Sequence, residues 1–491
     1  MEKKYMLHFF HERNYEPQSL QAFEREAVQA AQAGATHMYV MDVPKRFEEW
    51  SAHPGDPYPN WGMLQTCLFK LVVPRALEPY LDADYARRNL ELVRRRSEIV
   101  KKYGMQAAVV VIDPFYLPEQ AYLDHPAWRG PRCDHPRRSR DMYFSPCIDN
   151  EEVRGLYYEA MQRLCAEVDI GFFQIITNDS GAGVCWSTGL YNGPNGPEAC
   201  RKVSMADRIV GFLQVLYDAA RSQGRETLID ITSDIFGYKA PEASMDAAWT
   251  SLKPGQLVTG RDMHGKKPVY HMLSDLIEHV RPMQTLPMTV DFVRKLHAAA
   301  GSESEYIKAV IHRSEFNEYI RILDAYREMR PQDTAQLMNV LRHVAAKLLD
   351  AWCALDDAAR IMSDLHFDNF IWMPLIAERV INRPLVPVPA ALTEEETAYY
   401  APFLFQATTE EQARDLLNIQ GMDFVKGFTA TRILRLSVLK MAPALERAAV
   451  LFESIETDDD AVRGKLAVTA RRVRVLLCLS RTLSNAACYQ D

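Results

Sequence analysis

The stretch Phe172-Phe173-Gln174-Ile175-Ile176-Thr177-Asn178-Asp179-Ser180-Gly181-Ala182-Gly183 decides how the rest of the chain is read. An apolar run of strand length stops abruptly at Asn-Asp and enters a glycine-rich turn. A carboxylate at the tip of a buried strand carries a desolvation cost that a plain turn residue would avoid. In a (β/α)8 barrel that tip is where chemistry is placed. A long aromatic and turn-rich loop follows, with Cys185, Trp186, Tyr191 and the run Asn192-Gly193-Pro194-Asn195-Gly196-Pro197.

Working outward, strand-like and helix-like segments alternate through the first ~315 residues, which signals a parallel α/β fold. The pattern predicts strands over 5–10, 37–41, 106–112, 172–177, 227–232, 256–259, 269–272 and 306–312. Helices are predicted over 19–33, 84–103, 150–167, 205–222 and 288–300, with Gly34 and Gly104 as stops. The strand tips recurrently carry acids: Asp42, Asp113, Asp179, Asp234, Asp262 and Glu315. That regularity favours a TIM barrel over an open doubly wound sheet. No GxGxxG follows the first strand, so a dinucleotide fold has little support. Beyond about residue 320 the apolar spacing settles near 3.6, over 334–362 and 423–454. The expected organisation is a catalytic (β/α)8 barrel over 1–325, a helical extension with the proline-stiffened connector Arg383-Pro384-Leu385-Val386-Pro387-Val388-Pro389 over 326–390, and a mostly helical C-terminal domain over 391–491.

The bulk numbers narrow the function classes. The chain has 491 residues, is 48% hydrophobic and 25% charged, and has a net charge of −8. Such a balance, with no basic stripe, argues against nucleic acid as a main partner. The nine cysteines are scattered, odd in number and without a CxxC pair, so neither a disulfide framework nor a structural zinc site is expected. The loop with His125, Cys133, Asp134 and His135 fits no usual zinc spacing and is crowded by Arg137, Arg138 and Arg140, so no metal and no cofactor are expected. There is no long apolar run for a membrane span and no signal-like N-terminus, so a cytoplasmic protein is expected.

The candidate catalytic groups are Asp179, Glu315 and Asp262. Cleaving a glycosidic bond takes two carboxylates, one to protonate the leaving oxygen and one to attack carbon or activate water. Asp179 is the leading acid; its plainer reading is an Asx turn that shapes the loop. Glu315, after His312-Arg313-Ser314, is the leading second group, with dipole-favoured placement near a helix start as its plainer reading. Asp262 stands in reserve within Arg261-Asp262-Met263-His264, where an Arg–Asp pair satisfying itself is the alternative. Asn178, Asp113, Asp234, Arg261, His264, His312 and Arg313 are candidate substrate ligands at the strand ends. Trp186 and Tyr191, with Trp61 and Trp128, lie in loops at the same end, where rings suit the apolar faces of sugars. Asp230 shares the face of Asp234 by the strand period but lies away from the tip. Lys308 is the one strand-borne lysine suited to a Schiff base.

The segment Asn178-Asp179-Ser180-Gly181-Ala182-Gly183, followed by Asn195-Gly196-Pro197, resembles the fourth-strand tip of barrel glycoside hydrolases, in the style of α-glucuronidases and β-hexosaminidases. Many such enzymes place an Asn before a catalytic Glu there; here Asp179 stands in that place, one methylene shorter. The hexosaminidase pattern has two adjacent acids, whereas this chain has Asn-Asp, so substrate-assisted catalysis is not implied. The resemblance covers about residues 1–320. It implies an exo-glycosidase that removes a terminal sugar, such as a uronic acid or amino sugar, from an oligosaccharide. The rival readings are a barrel isomerase or aldolase and a non-catalytic carbohydrate-binding barrel. The C-terminal helices are available to build an interface between copies of the chain.

Overall fold

The computed structural model describes residues 3–10, 18–41, 43, 66–133, 142–177, 183–187, 195–232, 250–262, 265, 267–274, 286–312, 316–365, 391–400 and 427–490. The chain divides into two compact units, Met1–Met272 with Ala299–Ala309 and Leu273–Ala298 with Val310–Asp491. The first carries the main sheet, and the ends of two of its strands run into the second.

The strands are β1 Lys4–Phe10, β2 Ala35–Tyr39, β3 Gln106–Ile112, β4 Arg129–Arg132, β5 Phe144–Pro146, β6 Ile170–Ile176, β7 Leu228–Ile231, β8 Gln256–Val258, β9 Arg261–Asp262, β10 Lys267–Pro268, β11 Tyr270–Ser274 and β12 Tyr306–His312. Ten of them form one sheet in the order β10-β9-β8-β7-β6-β3-β2-β1-β12-β11, while β4 and β5 pair separately. From β1 through β2, β3, β6 and β7 to β8 every pairing is parallel. The terminal strands of that order, β10 and β11, are separated along the chain by Val269 alone, so the sheet is nearly closed and barrel-like. Tyr306 N–H donates to the Val269 carbonyl at 2.9 Å and Lys4 N–H to the Glu305 carbonyl at 3.1 Å, which ties β12 in on either side.

Each predicted strand coincides with an observed one. β6 shows why: it is apolar on both faces, with Phe172, Phe173 and Ile175 fully buried, as a central parallel strand covered on both sides must be. The β9–β10 hairpin after β8 and the β4–β5 pair are additions that the alternation did not signal, because each strand is too short for a period to register. Helix Leu20–Gln32 starts where Ser19 Oγ accepts the Ala22 N–H at 3.2 Å, helix Ala83–Lys102 where Asp82 accepts from Asp84 and Tyr85, and helix Glu151–Glu167 where Asn150 accepts from Val153.

In the second unit the single helix expected over 334–362 is broken. Thr334–Ala345 and Leu349–Asp364 are separated by a 3-10 turn over Ala346–Leu348, and Ala345 leaves helical values at φ −159° and ψ 81°. No glycine or proline marks this break, so the sequence carries no signal of it. Helix Gly427–Ser454 packs along helix Asp460–Gln490 and helix Leu349–Asp364. Met441, Leu445, Ala448 and Phe452 bury one stripe of the first, and Leu466, Ala470, Val473 and Leu477 one stripe of the second. Arg474 grips Glu453 with two hydrogen bonds of 2.7 Å, but both groups are nearly half exposed and contribute little to stability. Among the described residues no helix is long and apolar enough to cross a membrane.

One buried base in the sheet makes a pH signature. His37 on β2 is 4% exposed and its Nδ1 lies 2.9 Å from Thr36 Oγ1. A Cβ on Gly171 would sit 2.7 Å from His37 Nε2, so glycine makes room for the ring. Burial, with Lys4 adding to it, pushes the imidazole down from 6.5 to about 4. The folded state keeps the ring neutral while the unfolded chain protonates it, so the stability it contributes is present above pH 6.5 and lost as the pH falls toward about 4. Denaturant unfolding should show that His37→Gln loses about 3 kcal/mol less than the parent over that interval. An identical pH slope in the two proteins would refute it.

Candidate active site

The most informative polar group of the first unit lies inside the sheet. It is built from buried polar residues on four strands: Gln174 in β6, Asp230 in β7, Tyr270 in β11 and Lys308 in β12. The parallel register places Gln174 beside Asp230, and the alternation of strand side chains points both to one face. All four are buried, at 3%, 0%, 5% and 4% exposure.

Asp230 is the hub. Its Oδ2 accepts from Gln174 Nε2 at 2.7 Å and from the Tyr270 hydroxyl at 2.8 Å, and its Oδ1 accepts the Gly260 N–H at 2.9 Å. Gln174 Nε2 is also 3.0 Å from the Tyr270 hydroxyl oxygen, and Gln174 Oε1 accepts from the Lys308 ammonium. The amide of Gln174 thus bridges the carboxylate and the amine. Tyr39 and Phe172 wall the set, with the Lys308 ammonium 5.3 Å and 5.9 Å from their ring centres. Met6, Ala108 and Leu257 complete an apolar packing layer with these rings. His8 stacks on Tyr39 at 4.3 Å.

This setting perturbs both charged groups in the directions that acid–base chemistry uses. Burial pushes the Asp230 carboxyl up to about 6, against the pull of Gly260 N–H, Gln174, Tyr270 and Lys308. Burial pushes the Lys308 amine down to about 8, with Asp230 opposing the shift. Paired titratable groups drawn toward neutrality by a dry environment are a common mark of functional sites, and of structural networks as well.

The other sequence candidates fall as follows. Asp113 ends β3 ahead of Pro114 and is 1% exposed. Its Oδ2 accepts the Leu68 N–H at 2.8 Å, and its Oδ1 accepts the Tyr157 hydroxyl at 3.1 Å and the Phe115 N–H at 3.2 Å. Burial, against those three donors, holds its carboxyl at about 7. Both Asp113 oxygens thus accept hydrogen bonds from within the protein. Trp186 is half-buried with φ 62°, donates its indole N–H to the Pro197 carbonyl at 2.8 Å and carries Arg201 over its ring at 5.0 Å. Arg261 and Asp262 form β9, with Arg261 exposed and Asp262 half-buried. Trp128 is buried, donates its indole N–H to Glu152 and stacks on His125 at 3.8 Å, so this pair belongs to packing rather than to a ring platform. His312 is the last residue of β12. Asn178, Asp179, Tyr191, Asp234, His264, Arg313 and Glu315 lie outside the described residues, as do Asp42, Trp61, Asp134 and His135. Asn178, Asp234 and His312 each stand four residues beyond Gln174, Asp230 and Lys308 in the chain.

Sequence reasoning passed over Gln174, Tyr270 and Tyr39, set Asp230 aside for Asp234, and kept Lys308 only for a rival reading. The signal was present as a lone polar residue amid strand apolars: Phe-Phe-Gln-Ile-Ile, Leu-Ile-Asp-Ile and Tyr-Ile-Lys-Ala-Val-Ile. Cys147, Cys185 and Cys200, far apart in the sequence, converge in space.

No protein-family model matches the chain, and no curated protein sequence matches it. Solved structures do resemble it. A GH138 enzyme targeting pectin rhamnogalacturonan II superposes over 100% of this chain and 58% of its own, at 8% identity and a TM-score of 0.53. The chain thus spans little more than half the length of that enzyme. Much looser likenesses, which carry no weight by themselves, extend to two others. The GH36 α-galactosidase AgaA of Geobacillus stearothermophilus aligns over 71% of this chain and 42% of its own, at 12% identity and a TM-score of 0.35. The tandem GH20 catalytic modules of the pneumococcal exo-β-D-N-acetylglucosaminidase StrH align over 74% and 93%, at 11% identity and 0.35. The chain thus shares its fold, a mixed α/β architecture around a nearly closed barrel-like sheet, with that GH138 enzyme.

Proposed function

We propose that this chain is a glycoside hydrolase that removes a terminal sugar from an oligosaccharide, working from a (β/α)8 barrel followed by a helical C-terminal domain. The observation that carries the reading is the buried Asp230–Gln174–Tyr270–Lys308 set within a barrel-like sheet whose strands lead toward acid-bearing ends. Such a set ties β6 and β7 to β11 and β12, and a rigid base of that kind is what a catalytic pair of carboxylates needs. Asp179 is the acid/base and Glu315 the nucleophile or base, with Asp262 as the alternative second carboxylate. Asn178, Trp186, Tyr191, Asp234, Arg261, His264, His312 and Arg313 line the sugar site. The GH138 likeness and the basic loop 137–140 favour a uronic acid in a pectic oligosaccharide over an amino sugar. The same reading places the protein in the cytoplasm and lets the C-terminal helices join copies of the chain.

The test is a screen of the purified protein on nitrophenyl glycosides and uronides of both anomers and on rhamnogalacturonan II fragments. Turnover of one class names the sugar. Thermal-shift binding without any turnover would instead select the carbohydrate-binding rival.

A second reading has one observation in its favour: Lys308 is buried with its amine drawn down to about 8 beside Asp230. In an aldolase its Nζ would condense with a substrate carbonyl and release water, forming an imine. Borohydride with candidate aldehydes or ketones should leave the mass of Lys308 unchanged if the glycosidase reading holds. A reduced adduct on Lys308 would replace it.

A further inference from the structure

We propose that Cys147, Cys185 and Cys200, completed by Asp149, form a zinc site. Cys147 and Asp149 lie just ahead of helix Glu151–Glu167, Cys185 in the segment after β6, and Cys200 in the short helix Glu198–Arg201. Their donor atoms all fall within 4.8 Å of one another. Cys147 Sγ is 3.5 Å from Cys200 Sγ and 3.7 Å from Cys185 Sγ. Sulfurs at the corners of a zinc tetrahedron with bonds of about 2.3 Å stand about 3.8 Å apart. A disulfide would need about 2.05 Å. The three cysteines are 3%, 0% and 5% exposed, so the sulfurs face one another in a dry pocket.

Asp149 supplies the independent pointer to an ion. Its Oδ1 is buried and has no hydrogen-bond partner, while Oδ2 accepts from Arg208 Nη1 at 3.0 Å. A buried carboxylate oxygen left without a donor is costly, and a cation at the cluster would satisfy it. The charges also close. Three thiolates and a carboxylate around a divalent ion carry a net −2. Arg208, whose side chain is 3% exposed, and Arg154, whose Nη2 lies 3.7 Å from Oδ1, return +2. Arg208 Nη2 donates to the Cys185 carbonyl at 2.8 Å and Arg154 Nε to the Ile148 carbonyl at 2.6 Å. The two guanidiniums thereby hold the backbone that presents the ligands, as outer partners of metal ligands do.

The local sequence is shaped around the cluster. A Cβ on Gly196, at φ +135°, would stand 2.7 Å from Cys185 Cβ and 3.0 Å from its Sγ, so only glycine admits the close approach. Trp186 packs over the cysteines from outside. On binding, each thiol loses its proton to solvent as its sulfur bonds the metal, with no redox change. The ion would clip the segment after β6 to the start of helix Glu151–Glu167, bridging residues 53 apart in the chain. It would thus be structural, which is a role separate from the glycosidase reading and independent of it.

The test is elemental analysis of the full-length protein isolated without chelator or metal-affinity resin, followed by anaerobic replacement with cobalt(II). The expected result is one zinc per chain and, in the cobalt protein, thiolate-to-cobalt charge-transfer absorption with an intensity typical of three sulfurs. Cys147→Ser and Cys200→Ser should abolish zinc retention, and Cys165→Ala, a buried cysteine outside the cluster, should leave it unchanged. If the serine variants fail to fold, the cobalt spectrum of the parent protein still decides. Zinc-free protein without cobalt–thiolate absorption would overturn the proposal. So would a disulfide among the three cysteines, or zinc retained in Cys147→Ser.

Discussion

Asp230→Ala should destabilise the protein by about 3–5 kcal/mol at neutral pH. The substitution strips the acceptor from Gln174 Nε2, the Tyr270 hydroxyl and Gly260 N–H, all within the buried set. It also leaves the Lys308 ammonium without its nearby countercharge. Unpartnered buried donors cost about 1–3 kcal/mol each, and breaking one side of a buried charge arrangement about 3–5, terms that overlap rather than add. Against a total stability of about 5–15 kcal/mol this is large. Burial raises the Asp230 carboxyl from 3.8 to about 6, so the folded state holds the proton more tightly than the unfolded chain. The proton-linked part of its contribution, over and above the hydrogen bonds that persist at neutral pH, is complete below pH 3.8 and lost as the pH rises through about 6. The deficit of Asp230→Ala should therefore be larger at about pH 4 than at pH 7, by up to about 3 kcal/mol. Adding Lys308→Met should restore part of the neutral-pH loss, with a coupling of about 1–3 kcal/mol in a double-mutant cycle. Urea titrations at the two pH values measure all of this, and an Asp230→Ala protein within 1 kcal/mol of the parent would mean that the set does not hold the strands together.

Asp179→Asn should lower kcat on the substrate found in the glycoside screen by about 10²–10⁴-fold, the range for loss of a positioned general acid. That is about 3–5 kcal/mol of transition-state stabilisation. KM and the thermal midpoint should change little, because the amide keeps the size and hydrogen-bonding reach of the acid. Glu315→Gln should act in the same range, whereas Asp262→Asn should reduce turnover only if Asp262 is the second carboxylate. Turnover equal to the parent in Asp179→Asn would remove that residue from the mechanism and leave Glu315 and Asp262 to be tested as the pair.

The strands were legible because each is a local pattern. β3 is an apolar run after a glycine-stopped helix and before a polar tip, and β6 is apolar apart from Gln174. Ser19, Asp82 and Asn150 announce helix starts with their own side chains. The break at Ala345–Leu348 was not legible, since no residue there is a poor helix former. Asp113 illustrates a different limit. Its place at a strand tip reads from sequence as exposure to a ligand, yet Leu68 N–H and the Tyr157 hydroxyl from distant segments, with the local Phe115 N–H, engage both its oxygens. Trp128 likewise reads as a loop aromatic and proves to be packed beneath His125 and tied to Glu152.

The sequence by itself determined the alternating α/β pattern, eight of the strands and the helical character of the C-terminal third, because these depend on residue type and on periods of two or 3.6 along the chain. Only the tertiary structure decided that Gln174, Asp230, Tyr270 and Lys308 share one buried face, and that Cys147, Cys185 and Cys200 meet beside Asp149. Those groupings arise from strand register and loop return across tens of residues. Neither leaves a spacing in the chain that local chemistry can read.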